Sequence, residues 1–166
     1  KRGGIWYTPQ SGIWQTVWLE PVNPVHSTRL SIEPDVDNSC FKLQVNATGD
    51  SEATADIRLS DPDGNTVASL QGVATGTPCT LPVNAPELWS PEHPYLYDLN
   101  ITLSSEGQQT DAVKSYCGMR KIEVKNVDGT PRIFLNDTQI FQMGPLDQGW
   151  WPDGLYTAPS DEALLF

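Results

Sequence analysis

The amino-acid sequence predicts an all-β protein whose main part is an immunoglobulin-like, antiparallel β-sandwich. Between Val25 and Asn126, short segments alternate apolar and polar residues with the period of two that half-buried strands show. Turn residues separate these segments about every 8–12 positions. No segment of helical periodicity interrupts them. This pattern is typical of a sandwich of short antiparallel strands, and a barrel is the alternative architecture.

Composition and charge limit the classes of protein to which the chain can belong. It has 166 residues, 38% of them hydrophobic, with six Trp and five Tyr, which indicates a folded chain. Its net charge of −11 argues against nucleic acid and anionic membranes as partners, because both require a basic face. No apolar run is long enough to span a bilayer, and no signal peptide is visible. Because the chain starts at Lys1 and stops within a predicted helix, we expect it to be a piece of a longer protein.

The first predicted element is a strand over residues 13–22, which are rich in β-branched and aromatic side chains. Both of its faces are largely apolar, with one set of alternate positions holding Trp14, Thr16 and Trp18 and the other holding Ile13, Val17 and Leu19. Such a strand needs cover on both sides. We therefore expect it to complete a sheet whose other strands lie outside this chain.

The sandwich strands follow from the alternation of their side chains. Predicted strands lie around residues 29–33, 41–47, 55–60, 66–70, 79–83, 95–103, 111–117 and 120–125. A strong turn, Asp61-Pro62-Asp63-Gly64, separates the third from the fourth. One face of each strand points inward. The predicted core, on opposed inner faces, consists of Phe41, Leu43, Val45, Ile57, Leu59, Leu99 and Ile101.

Cysteine and histidine are too sparse to indicate a metal site. Cys40, Cys79 and Cys117 lie far apart in apolar runs without metal-ligand spacing, so buried free thiols are expected, although one disulfide is possible. His26 and His93 lie in Pro-flanked segments with no partner at metal-ligand or catalytic spacing, and we interpret both as loop residues.

A small hairpin follows the sandwich. Asp128-Gly129 makes a turn, after which residues 131–135 and 139–143 flank Asn136-Asp137-Thr138. Asn and Asp favour the tight turns that join two antiparallel strands. The chain then enters a loop, residues 144–156, with Gly, Pro and two adjacent Trp residues. A helix is predicted to start after Ser160, its N-cap, with Asp161 and Glu162 in the first turn.

Side chains of the loop suit a carbohydrate. Trp150 and Trp151 offer aromatic faces for the C–H faces of a sugar, and Asp147 and Asp153 can accept hydrogen bonds from its hydroxyls. The alternative interpretation is structural, in which the two Trp residues pack on a neighbouring domain. The residues themselves favour this second interpretation.

Four segments carry motifs that support a family assignment. They are SGIWQTVWLE at 11–20, LWSPEHPYLY at 88–97, YCGMRKI at 116–122 and FLNDTQIF at 134–141. Together and in this order they resemble glycoside hydrolase family 2, the family of β-galactosidases, β-glucuronidases and β-mannosidases. In that family the similar segments close a sugar-binding jelly roll, precede and form late sandwich strands, and introduce the catalytic barrel.

The resemblance implies a domain layout. Residues 1–22 would be the tail of the sugar-binding jelly roll, 23–126 the immunoglobulin-like sandwich, and 127–166 the start of a truncated (β/α)8 barrel. Its first strand would lie near 140–143, its first loop at 144–159, and its first helix after Ser160. Active sites of such barrels lie on the loops that follow the strands. The Trp-containing loop would then border the substrate.

The resemblance also implies a chemistry. Retaining glycosidases use two carboxylates about 5–5.5 Å apart. In the family these are two Glu residues on later barrel strands, outside this chain, so no catalytic residue is assigned here. Glu87, Glu92, Glu106 and Glu123 belong to sandwich segments. The loop departs from the family pattern because it lacks His, and because Met143 stands where many members have Arg. These departures leave the sugar open.

Two functions follow from the sequence. The first is a non-catalytic immunoglobulin-like domain of a retaining glycosidase, inactive alone, that holds the jelly-roll and barrel domains of an enzyme acting on a β-glycoside or oligosaccharide. The alternative is a free-standing immunoglobulin-like module for carbohydrate binding or adhesion. No cofactor is expected for either. The compartment is not determined, with a periplasmic or secreted location favoured over a cytoplasmic one.

Overall fold

The computed structural model describes residues 12, 13, 15–50, 52–146, 149, 151, 154 and 156–165. The backbone divides into two compact units. One is Pro21–Gln142, and the other combines Lys1–Glu20 with Met143–Phe166. All strands of the described residues lie in the first unit.

Two antiparallel sheets form the sandwich of the first unit. The strand order is β1-β2-β5 in the smaller sheet and β4-β3-β6-β7 in the larger one. Their bounds are β1 His26–Asp35, β2 Cys40–Thr48, β3 Thr54–Ser60, β4 Thr66–Ala74, β5 Cys79–Pro82, β6 Tyr97–Ser105 and β7 Gln108–Cys117. The predicted antiparallel sandwich is therefore confirmed. The barrel alternative is wrong, because the strands separate into two sheets that share one core.

The core lies between the two sheets. In the larger sheet Ile57 is opposite Ile101 and Leu59 is opposite Leu99, so these side chains occupy one face. In the smaller sheet, alternate residues of β2 point inward, towards these side chains of the larger sheet. All seven predicted core residues are buried, which confirms the register read from the sequence.

Two turn residues show how the sequence fixes the strand connections. Asp61 closes the turn between β3 and β4: its carbonyl accepts from Gly64 N at 3.0 Å and its Oδ1 accepts from Asn65 N at 2.7 Å. Gly49 follows β2 with a φ of +91° and lies against the carbonyl of Pro24. A Cβ at that position would collide with the Pro24 backbone, so only glycine fits.

A third, smaller sheet follows the sandwich. It contains β8 Ile122–Val127, β9 Thr130–Leu135 and β10 Thr138–Gln139, in the order β10-β9-β8. The predicted Asn-Asp turn is confirmed, since Asn136 and Asp137 both have positive φ, as tight hairpin turns require. The strand predicted at residues 120–125 as part of the sandwich corresponds to β8. The prediction is wrong about its partner, because β8 pairs with β9 in the small sheet.

The strands predicted at residues 13–22 and 140–143 are not found among the described residues. Among the described residues of 12–22 there is no strand, and Val17 and Leu19 are exposed. Residues 141–146 likewise have no regular structure, and Phe141 and Met143 are exposed. A strand is defined by the hydrogen bonds of a neighbouring strand. No strand of the described residues pairs with either segment, so their β-propensity alone does not produce one.

The second unit contains the predicted helix. α1 spans Asp161–Leu165, and Ser160 caps it, since its Oγ accepts a hydrogen bond from Ala163 N at 3.3 Å. Asp161 and Glu162 lie in the first turn, where the helix dipole favours acidic side chains. Across the described ranges, no helix has the length and apolarity required to cross a membrane.

The three cysteines are free, and Cys40 and Cys117 are buried. The expected free thiols are therefore confirmed, and no pair is bridged. Burial raises the pKa of the Cys117 thiol to about 12. That thiol is consequently protonated at neutral pH and behaves as a small apolar side chain.

Candidate functional site

The predicted substrate-side loop is described only in part. Asp147, Trp150 and Asp153 lie outside the described residues, so their placement next to a substrate stays a prediction. Trp151 is half-buried. Nearby, Gly154 forms a tight turn in which its carbonyl accepts from Thr157 N at 2.9 Å. A Cβ on Gly154 would collide with the Thr157 carbonyl, so the chain beside Trp151 needs glycine to turn.

Several specific contacts lie where the sandwich meets the hairpin. We call this place the Asn136 junction and define it by Trp89, Met119, Lys121 and Asn136. Asn136 makes three hydrogen bonds there. Its backbone N donates to Lys121 O at 2.9 Å, its Oδ1 accepts from Lys121 N at 3.0 Å, and its Nδ2 donates to Trp89 O at 3.0 Å. One turn residue therefore links the hairpin to two segments of the sandwich.

The Asn136 side chain can make these bonds because of its backbone conformation. Its φ is 49°, a left-handed conformation that Asn adopts more readily than most residues. The sequence analysis predicted the turn from Asn136 and Asp137 but missed the side-chain bonds. The available signal was an Asn in a motif segment, since Asn tolerates this conformation and its amide offers both an acceptor and a donor.

The other side of the junction is fixed by close packing around Trp89. Trp89 N donates to Met119 O at 2.9 Å, and Leu88 forms a parallel bridge with Met119, which is fully buried. At Gly118 a Cβ would lie 3.2 Å from Trp89 Cβ, tighter than side chains usually approach. The glycine of the Gly-Met-Arg segment therefore allows Trp89 to approach the backbone.

Ion pairs surround the junction. Lys121 Nζ lies 2.7 Å from Asp37, 3.1 Å from Asp137 and 3.5 Å from Glu123. Lys125 Nζ lies 2.7 Å from Asp137 and 2.9 Å from Glu123. The carboxylates of Asp37 and Asp137 raise the pKa of Lys121, while Lys125 and Lys121 lower the pKa of Asp137. Lys121, Lys125 and Asp137 are thus charged at neutral pH.

This arrangement is suited to holding segments together rather than to hydrolysis. The carboxylates that converge here do so on ammonium groups, which neutralise them. Glu87 lies on the surface, 3.5 Å from His93. A retaining glycosidase requires two carboxylates facing one sugar, one of them as a proton donor. Within the described ranges no group of His, Cys, Asp and Glu could hold a metal ion.

A shallow groove opens beside the junction. Its volume is about 440 Å³ and its lining includes Ile32, Pro34, Trp89, Leu96, Tyr116 and Arg120. The Arg120 guanidinium carbon lies 4.7 Å from the centre of the Trp89 ring, within the range of a cation–π contact. The groove is therefore an apolar surface with one cation at its edge.

Known proteins match this chain in sequence over its sandwich. Residues 25–120 match the family described as glycosyl hydrolases family 2. A β-galactosidase from Clostridium acetobutylicum is 31% identical over 123 residues, covering 70% of this chain and 14% of the relative. A putative β-glucuronidase from Formosa agariphila is 30% identical over 141 residues, covering 80% of this chain and 17% of the relative.

The fold is also found among solved structures. A β-glucuronidase from Ruminococcus gnavus in complex with D-glucuronic acid aligns with a TM-score of 0.61 and 22% identity. The alignment covers 74% of this chain and 20% of that structure. The chain thus spans a fifth or less of these three proteins, and its matched region includes the whole sandwich.

Proposed function

The chain belongs to glycosyl hydrolases family 2, and from that membership we propose that it is the non-catalytic, immunoglobulin-like part of a retaining glycosidase. The observation that carries the proposal is the extent of the match. The family match covers the sandwich, residues 25–120, whereas the chain spans only 14% and 17% of two relatives. The remaining length of such enzymes would supply the catalytic machinery.

The role that we propose for the chain is to connect two domains. Residues 1–22 would end a sugar-binding jelly roll, 23–126 would form the sandwich, and 127–166 would begin a (β/α)8 barrel. The Asn136 junction supports this role. Three hydrogen bonds and a set of ion pairs attach the hairpin, from which the chain would enter the barrel, to the sandwich. A connection of this kind would hold the barrel in a fixed orientation.

The reaction of the whole enzyme would be hydrolysis of a β-glycoside or oligosaccharide. Two carboxylates about 5–5.5 Å apart would act as acid/base and nucleophile. The family places both on later barrel strands, so neither would come from this chain. The loop with Asp147, Trp150, Trp151 and Asp153 would border the sugar, with aromatic stacking and hydroxyl hydrogen bonds.

The proposal is tested by comparing residues 1–166 with the full-length protein. Aryl β-galactosides, β-glucuronides and β-mannosides are the substrates. We expect the full-length protein to hydrolyse at least one of them with retention, and residues 1–166 to hydrolyse none, because general acid and nucleophile are both required. Turnover by the purified 166-residue chain, or none by the full-length protein, would contradict the proposal and favour a free-standing binding module.

The loop is tested in the same full-length protein. Trp151→Ala and Asp147→Ala are compared with wild type in steady-state kinetics and thermal melts. We expect at least one variant to lower kcat/KM about tenfold or more, which corresponds to about 1.4 kcal/mol of transition-state stabilisation, with the melt unchanged. If both variants act only on the melting temperature, the loop has a packing role and the structural interpretation is correct.

A further inference from the structure

We propose that the groove beside the Asn136 junction is a docking site for a segment of the parent polypeptide outside residues 1–166, which presents a carboxylate next to an apolar side chain. This inference rests on the proposed function, because it requires a longer chain. It goes beyond that function by naming the contact surface and the chemistry of its partner.

The first argument is the exposed apolar lining. Tyr116 is 68% exposed and Leu96 is 40% exposed, and both line the groove. Aliphatic and aromatic side chains form most of the groove, and a volume of about 440 Å³ accommodates several side chains of a partner. A groove with this lining can receive an apolar side chain of another element.

The second argument is the charge of Arg120. Its guanidinium stacks on Trp89, which leaves the edge of the group and its donors available. Across the described residues no carboxylate forms an ion pair with it, although the chain has 21 Asp and Glu against 10 Lys and Arg. The adjacent Lys121 has three carboxylate neighbours. Charge complementarity therefore assigns a carboxylate to the partner, bound through two parallel N–H···O bonds.

The same features distinguish between possible occupants. A free sugar needs many hydrogen-bonding groups, whereas most of the lining side chains, among them Ile32, Pro34 and Leu96, are apolar. A second copy of this chain would have to approach against its own net charge of −11. A peptide segment with an apolar side chain and one carboxylate matches both the lining and the cation.

The test uses the full-length protein with a photo-crosslinking phenylalanine derivative in place of Leu96, within the groove. The matched control places the derivative at Gln71, an exposed residue on β4 at the opposite edge of the larger sheet. We expect Leu96 to crosslink, within one polypeptide, to a segment outside residues 1–166 that contains Asp or Glu beside an apolar residue. The control should not reach that segment.

Arg120 variants test the charge with the same crosslink yield as readout. Arg120→Glu should lower the yield about fivefold or more, because repulsion replaces a charge-assisted pair, whereas Arg120→Lys should lower it less. Reversing the charge of the partner carboxylate should restore the yield in the Arg120→Glu protein. Thermal melts identify any variant that fails to fold. If Arg120→Glu fails to fold, the crosslink yield of Arg120→Lys is compared with that of wild type.

Several results would overturn the inference while leaving the proposed function intact. They are crosslinks confined to residues 1–166, crosslinks between isotopically labelled and unlabelled copies, and equal yields for Arg120→Glu and wild type. Competition of the crosslink by D-galactose or D-glucuronic acid would instead indicate a sugar site. If the full-length protein hydrolyses a glycoside in the same preparation, a failed crosslink contradicts only the docking site.

Discussion

At the scale of single residues, the core depends on side chains that are completely enclosed. Leu99 is only 1% exposed. It lies on β6 opposite Leu59 on β3, and these two strands are the central ones of the larger sheet. We expect Leu99→Ala to lower the free energy of unfolding by about 2–5 kcal/mol, because it removes buried methyl groups and leaves a cavity. Urea denaturation followed by Trp fluorescence measures the change.

Leu19→Ala is the matched control for this prediction. Leu19 is fully exposed, so the same chemical change should alter the free energy of unfolding by less than about 0.5 kcal/mol. Equal values for the two variants would show that Leu99 does not lie in the core as described.

Asp35 at the end of β1 has a charge that its neighbours stabilise. Lys42 Nζ lies 2.8 Å from Asp35 Oδ2, and the Asn38 amide donates to both carboxylate oxygens at 2.9 and 3.0 Å. Lys42, followed by Asn38, lowers the pKa of Asp35 to about 2. The interaction stabilises the fold above the unfolded pKa of about 3.9, and its contribution is lost as the pH falls towards 2.

Lys42→Met should therefore raise the pKa of Asp35 without restoring it fully, because the Asn38 bonds remain. The acid limb of the stability curve should become less steep between about pH 4 and pH 2. A carboxyl ¹³C NMR titration measures the first effect. Asp61 is the internal control, because its lowered pKa results mainly from Asn65 and should not change. An unchanged Asp35 titration in the variant would contradict the role of Lys42.

At the scale of elements, the hairpin and the sandwich meet through Asn136. Asn136→Gly keeps the left-handed backbone accessible but removes two side-chain hydrogen bonds, so it should cost about 1–3 kcal/mol. Asn136→Ala removes the same bonds and also strains the backbone, so it should cost more than Asn136→Gly. Denaturant melts of the two variants and wild type separate these contributions.

The free energy of unfolding should be highest for wild type, lower for Asn136→Gly and lowest for Asn136→Ala. If Asn136→Gly were as stable as wild type, the side-chain bonds to Lys121 and Trp89 would contribute nothing. If Asn136→Ala and Asn136→Gly were equal, the positive φ would not restrict the position.

The strands show which elements a sequence can predict. β2, β3 and β6 were predicted because alternation is a local property, and their inward residues proved to be the core. The alternation of β8 was also detected, but its partner was not, since periodicity does not say which strand lies beside it. Residues 13–22 have strand composition, but the described residues of this range form no strand, because pairing depends on neighbours that composition does not describe.

At the scale of the whole molecule, the predicted loop site stays a prediction, whereas the Asn136 junction was not predicted as a site and is assembled in the structure from separate motif segments. Trp89, Gly118 and Asn136 each lie in a segment that resembles the family, and the structure brings these segments into direct contact. The bond between Trp89 and Asn136 joins residues 47 positions apart, which no local pattern predicts. That no carboxylate of the described residues pairs with Arg120 depends on where each nearby carboxylate lies, so it too required coordinates.

The three bonds of Asn136 also have a mechanical consequence. Two of them hold the backbone of Lys121 and the third holds the carbonyl of Trp89, so the hairpin turn is attached to the sandwich at two separate places. Two points of attachment restrict rotation about either one, and we therefore expect the hairpin to keep its orientation on the sandwich.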